Sequence, residues 1–155
     1  MHTYILWIAL MAYALHIIEE YTFNWKKWAS DILKLPLGYD HFAVTNGAVI
    51  VLGVACAQVG WNCSAFALSM PALMLINATF MHVFPFLKTK GRFSAGLITS
   101  ILLFWPIGAW SYMGAYDDGV LNARVIVLSF VFGALLLAFP IISLKIRFLP
   151  FFRQE

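Results

Sequence analysis

Five long apolar runs dominate this chain, and they leave it few ways to fold. They extend roughly from Thr3 to Tyr21, His41 to Gly60, Ser64 to Leu87, Phe93 to Tyr116 and Val120 to Leu144. Each is close to the ~20 residues with which a helix crosses ~30 Å of hydrocarbon. No water is available there to satisfy backbone N–H and C=O groups, so each run must pair them internally, as a helix. Pro71, Pro106 and Pro140 fall inside runs, where membrane helices tolerate them as kinks. Composition points the same way: 63% of residues are apolar and 11% charged, with a mean hydropathy of +0.85. A very apolar soluble core would need long polar segments to cover it, and these are absent. The sequence predicts an all-α polytopic membrane protein, a single domain over residues 1–155 built as a bundle of five transmembrane helices.

The connections orient the bundle. The first, NWKKWASDILKLPLGYD, carries Trp25, Trp28, Ile32, Leu33 and Leu35 and reads as an interfacial amphipathic piece. The second is a tight turn around Trp61 to Cys63, the third is KTKGR and the fourth YDDG. Lys26, Lys27, Lys34, Lys88, Lys90, Arg92, Lys145, Arg147 and Arg153 fall on one side of a five-span layout, and Arg124 on the other. Cytoplasmic loops carry the excess of Lys and Arg, so the expected topology has the N-terminus outside and the C-terminus in the cytoplasm, in the cell's inner (plasma) membrane. The first run lacks a basic leader and a small-residue cleavage site, and is read as a retained span. Net charge is +3 with no dense basic stripe, which argues against nucleic acid as a partner. Cys56 and Cys63 fit no zinc spacing; they read as buried small residues, or as a pair if both face an oxidising side.

Against this apolar background, the motif HIIEE at residues 16–20 stands out. His16 with Glu19 is an i, i+3 step and with Glu20 an i, i+4 step, so the three share a helix face. Asn46 lies over a turn into the second run, after His41. The third run holds Asn77, Thr79 and His82 in the stretch INATFMH. The topology sets these residues at similar depth in the cytoplasmic leaflet. Isolated polar groups in lipid are costly and normally face the bundle interior, where they find one another. A shared polar pocket is the inference. Each member also has a plainer role. Glu20 could pair with Lys26, Lys27 or Arg92 at headgroup level, His41 could be an exposed interfacial residue, and Asn46 and Asn77 could be interhelical hydrogen-bond glue. Trp105, Pro106 and Trp110 either line a groove for a lipid-like molecule or simply pack.

Two histidines and two carboxylates form a donor set suited to zinc or non-haem iron. His16, Glu19, Glu20 and His82 are therefore the candidate metal ligands and catalytic residues, with zinc or iron as the candidate cofactor. The set lacks the second E-x-x-H pair of a dinuclear ferritin-type site. Without a metal, a buried glutamate beside a histidine suits acid–base chemistry. Asn46, Asn77 and Arg92 are the candidate substrate-binding residues, Arg92 with Lys88 or Lys90 being suited to an anionic head group. The expected function is a membrane enzyme acting on a lipid-like or amphiphilic substrate, with membrane lipids as its surroundings. The competing reading is a small transporter, which with five helices would lean on homo-oligomerisation, or a structural or accessory bundle.

These residues also carry a resemblance. The intact H-x-x-E-E of His16, Glu19 and Glu20, with His82 as a second histidine, resembles the HXXEE-domain family, whose function is unknown. A third family motif, Y-x-P-G, would fall on RFSAG, Arg92 to Gly96, where Phe93 replaces the tyrosine, Ala95 replaces the proline and Gly96 is kept. The resemblance covers the first helix to the fourth and implies an enzyme, with no reaction attached. A mechanism that uses the tyrosine hydroxyl is not open to this chain; a tyrosine that only anchors at the interface loses little as phenylalanine.

Overall fold

The computed structural model describes residues 1–34, 38–147 and 151, and among them the regular structure is helical. Leu35 and Arg153, which figured in the reading of the connections and tail, lie outside the described residues. Five helical stretches are long and apolar enough to cross a membrane. The first is α1 (Tyr4–Thr22). A short α2 (Trp25–Trp28) and a π-helical segment (Ala29–Leu33) follow. Here Trp28 and Ala29 are buried against Trp25 and Ile32, as an amphipathic connection requires. The second span is α3 (Tyr39–Val59). A 3-10 turn (Gly60–Cys63) reverses the chain.

The third span is interrupted twice. It runs through α4 (Ser64–Ala67), α5 (Ser69–Asn77), a π-helical segment (Ala78–Val83) and α6 (Phe84–Lys88). The first break falls at Leu68, three residues before Pro71. A proline ring clashes with the carbonyl four residues back, here that of Ala67, and it has no N–H to donate. The same cause accounts for the π winding, which immediately precedes Pro85 and shifts the hydrogen-bond ladder by one residue. The fourth span repeats the arrangement before Pro106: α7 (Leu97–Thr99), a π-helical segment (Ser100–Phe104) and α8 (Trp105–Asp117). It starts at Leu97, not at Phe93 as the hydropathy indicated. Residues 93–96 are non-helical, and Gly96 stands at the helix start with φ +93°. The fifth span is α9 (Ala123–Arg147).

The third span lies at the centre. Half of it is buried, against 11% of the fifth span, whose apolar surface faces outward along most of its length. The core joins Ala9, Ala12 and Tyr13 of α1 to Met70, Leu73 and Met74 of α5 and to Phe104 of the fourth span. Small residues allow close approach where lipid supplies no hydrophobic drive for helix association. At Gly133 of α9, an added Cβ would stand 2.8 Å from the backbone nitrogen of Leu73. Cys56 and Cys63 are both free; Cys56 is buried and donates its S–H to the carbonyl of Phe66 at 3.2 Å.

Candidate functional site

Four elements bring polar side chains together at one end of the bundle. α1 supplies His16, Glu19 and Glu20, all buried. The third span supplies Asn77 and His82, and its π winding matters for this. Residues five apart diverge on an α-helix, whereas π winding closes i→i+5 bonds and turns them toward the same side. The loop before the fourth span supplies Ser94 and Gly96, and the first turn of that span supplies Thr99.

The two glutamates part company. Glu19 caps the fourth span: its Oε1 accepts from the N–H groups of Gly96 (3.0 Å) and Ile98 (3.1 Å), and its Oε2 accepts from the N–H (2.7 Å) and hydroxyl (2.6 Å) of Thr99. These are donors that a helix start leaves without intrahelical partners, and the helix dipole favours a negative charge there. Four donors occupy the carboxylate, so the expectation that Glu19 is a ligand gives way to a capping role. Glu20 turns inward instead. Its Oε1 lies 3.5 Å from His16 Nε2 and 3.6 Å from His82 Nε2. Among the described residues it does not pair with lysine or arginine. Asp31 takes Lys27 (3.7 Å) and Arg92 (3.5 Å), and the ammonium of Lys26 stands over the ring of Tyr39.

The outer nitrogens of both imidazoles are held. The one hydroxyl proton of Thr99 is directed to Glu19, so Thr99 Oγ1 accepts from His16 Nδ1–H, 2.7 Å away. Ser94 Oγ lies 3.0 Å from His82 Nδ1 and 3.4 Å from the carbonyl oxygen of Ala95. Both Nε2 atoms face Glu20. Asn77 Nδ2 lies 3.3 Å from His16 Nε2, and His82 Nε2 is buried with no hydrogen-bond partner. The rings meet edge-on with centroids 4.8 Å apart, and Phe104 closes over His16 at 4.3 Å.

Gly96 fits between the two rings. A Cβ there would stand 2.5 Å from His82 Cε1 and 2.7 Å from His16 Cε1. Its φ of +93° is also one that side chains disfavour. So the glycine of the third motif, the two histidines and Glu19 form one contact set. Phe93 points elsewhere: its ring packs edge-on against Phe23, and it is exposed.

Among the described residues, His16, Glu20 and His82 offer ligand atoms that all lie within 4.8 Å of one another, a group able to hold a metal ion. A tetrahedral ion with bonds of about 2 Å keeps its ligands about 3.3 Å apart, close to the Glu20 separations. A cavity of about 90 Å³ adjoins Glu20, lined also by Tyr13, His41, Thr45, Asn46 and Asn77. His41 is therefore not simply an interfacial residue: its Nε2 is buried and without a partner, as is Thr45 Oγ1. Asn46 and Asn77 reach the cavity, whereas Arg92 stays in its exposed ion pair. Trp105 donates its indole N–H to Thr79 Oγ1 at 3.3 Å, and the Trp110 ring packs on Tyr4.

Sequence reading missed Ser94, Thr99 and Thr45. The signal for the first two was present, in hydroxyl residues on either side of a glycine at the start of an apolar run.

No curated protein and no solved structure matches this chain. The family model described as a protein of unknown function with HXXEE motif matches residues 7–111, more than half of the chain. That span takes in His16, Glu19, Glu20, His82 and Gly96, and the chain belongs to the HXXEE family.

Proposed function

We propose that this protein is a membrane-embedded metalloenzyme in which His16, Glu20 and His82 hold one zinc or iron ion, and that it acts on a lipid-like substrate. One observation carries the reading. Two imidazole Nε2 atoms and a carboxylate oxygen converge, yet stand 3.5 and 3.6 Å apart, too far for good hydrogen bonds and suited to ligands around an ion. Two histidines and one carboxylate leave further coordination positions open, as catalytic sites require.

The surrounding residues would tune that site. Thr99, backed by Glu19, would orient the His16 ring, and Ser94 would do the same for His82. A bound ion would polarise a substrate oxygen or supply hydroxide near neutral pH, so hydrolysis and oxidation are the reaction classes considered. The positive charge near this end supports a site that faces the cytoplasm in the plasma membrane. A second reading keeps Glu20 and the histidines as a metal-free acid–base or proton-relay set, in an enzyme, a small transporter or an accessory bundle. It rests on the burial of Glu20 beside both imidazoles.

Cobalt(II) separates the two. Titrating metal-stripped protein in detergent should give visible absorption that saturates at one equivalent and is absent in His82→Ala. A featureless titration of the wild type would leave the acid–base reading in place of the metal one.

A further inference from the structure

The cavity beside Glu20 neighbours a groove on the outside of the bundle. The groove has a volume of about 610 Å³ and runs between α1 and α3, walled by Ile17, Ile18, Tyr21, Phe42, Gly47 and Ile50. This is within the ~300–1,000 Å³ of small-molecule sites. Phe42 and Asn46 line both spaces, which are therefore adjacent. Both helices are membrane spans, which puts the mouth of the groove at lipid depth. Its walls are almost wholly apolar, while the inner cavity ends on Glu20, Asn77 and the unpartnered His41 Nε2 and Thr45 Oγ1. Buried polar atoms without partners are costly, and a ligand that satisfies them removes the cost. Among the described residues, no lysine or arginine lines either space.

From this the geometry points to one occupant: a single-chain amphiphile with a small, uncharged polar head. It enters sideways from the bilayer, its chain lies in the groove between α1 and α3, and its hydroxyl, ester or amide head meets His41 and Thr45 beside Glu20. This deepens the reading of the His16, Glu20 and His82 site as an enzyme centre and rests on it for the fate of the head. It replaces the anionic head group expected from Arg92, since Arg92 belongs to Asp31 and the cavity lining carries no cation.

Gly47 allows a clean test. It lines the groove, and a Cβ added there meets nothing within 4 Å. Gly47→Leu should therefore fill the groove without disturbing the helix. The probe is a monoacylglycerol with a photoreactive diazirine in its chain, added to protein in lipid nanodiscs and mapped by peptide mass spectrometry. Labelling should concentrate on 17–21 and 42–50, and fall at least about tenfold in Gly47→Leu with thermal stability and metal content unchanged. Thr45→Val should weaken capture of the same probe. Labelling spread evenly over the lipid-facing helices, α9 included, or insensitive to Gly47→Leu, would overturn the proposal. Equal or stronger capture of the matching lysophosphatidic acid probe would overturn the uncharged head. Metal content is read in the same samples: metal without groove labelling removes this inference alone, and groove labelling without metal removes the metalloenzyme reading alone.

Discussion

Glu19 and Glu20 are chemically identical neighbours, and about 100° of helix rotation gives them different work. One is spent on the start of the fourth span, the other faces two imidazoles. Gly96 ties the two roles together, because its N–H caps onto Glu19 while its missing side chain leaves room for both rings. Gly96→Ala is therefore expected to destabilise by roughly 2–4 kcal/mol, from strain at positive φ and overpacking together, and to push the histidines apart. Thermal unfolding in detergent, with metal retention measured alongside, checks it; an unchanged melting temperature would mean that the loop is looser than described. At this scale the sequence was only partly legible. The i, i+3 and i, i+4 spacing put His16, Glu19 and Glu20 on one face, but spacing cannot tell which glutamate meets which neighbour. That depended on the fourth span starting at Leu97, and hydropathy alone ran the helix back to Phe93.

At the scale of elements, prolines set the shape. Pro71, Pro85 and Pro106 each follow a break or a π-helical segment, and the segment before Pro85 turns His82 into the site. Sequence periodicity supplied the spans, because apolar runs of this length have no other fold in a bilayer, but it assumed uniform winding and so missed the π segments. The far end of the bundle is held by one carboxylate. Asp118, just past α8, accepts from the backbone N–H of His2 and from the Trp61 indole N–H at 2.7 Å, and lies 3.0 Å from His2 Nδ1. The His2 N–H bond in particular pulls the Asp118 carboxyl down to about 2 from an ordinary 3.8. A depressed carboxylate contributes stability that is complete above its ordinary pKa and is lost as pH falls through the folded one. The clasp should hold at pH 5 and release between about pH 4 and pH 2. Trp61 fluorescence, followed by acid titration against Asp118→Asn, should show a transition in that window only in the wild type. A transition in both would assign it to another group.

For the molecule as a whole, the site is buried and at one end, while the opposite end carries the Asp118 clasp and most of α9 offers only apolar surface. Such a bundle has little apparent reason to bury His16, Glu20 and His82 together unless something binds there, since an uncompensated buried charge costs several kcal/mol. The measurement that bears most directly on this is metal content by mass spectrometry of detergent-purified protein. Wild type should be compared with Glu20→Gln, His82→Ala and, as a control at the far end, Asp118→Asn. The account predicts near-stoichiometric zinc or iron in the wild type and Asp118→Asn, lost in Glu20→Gln and His82→Ala. Metal absent from carefully handled wild type, or retained in both site variants, would contradict it.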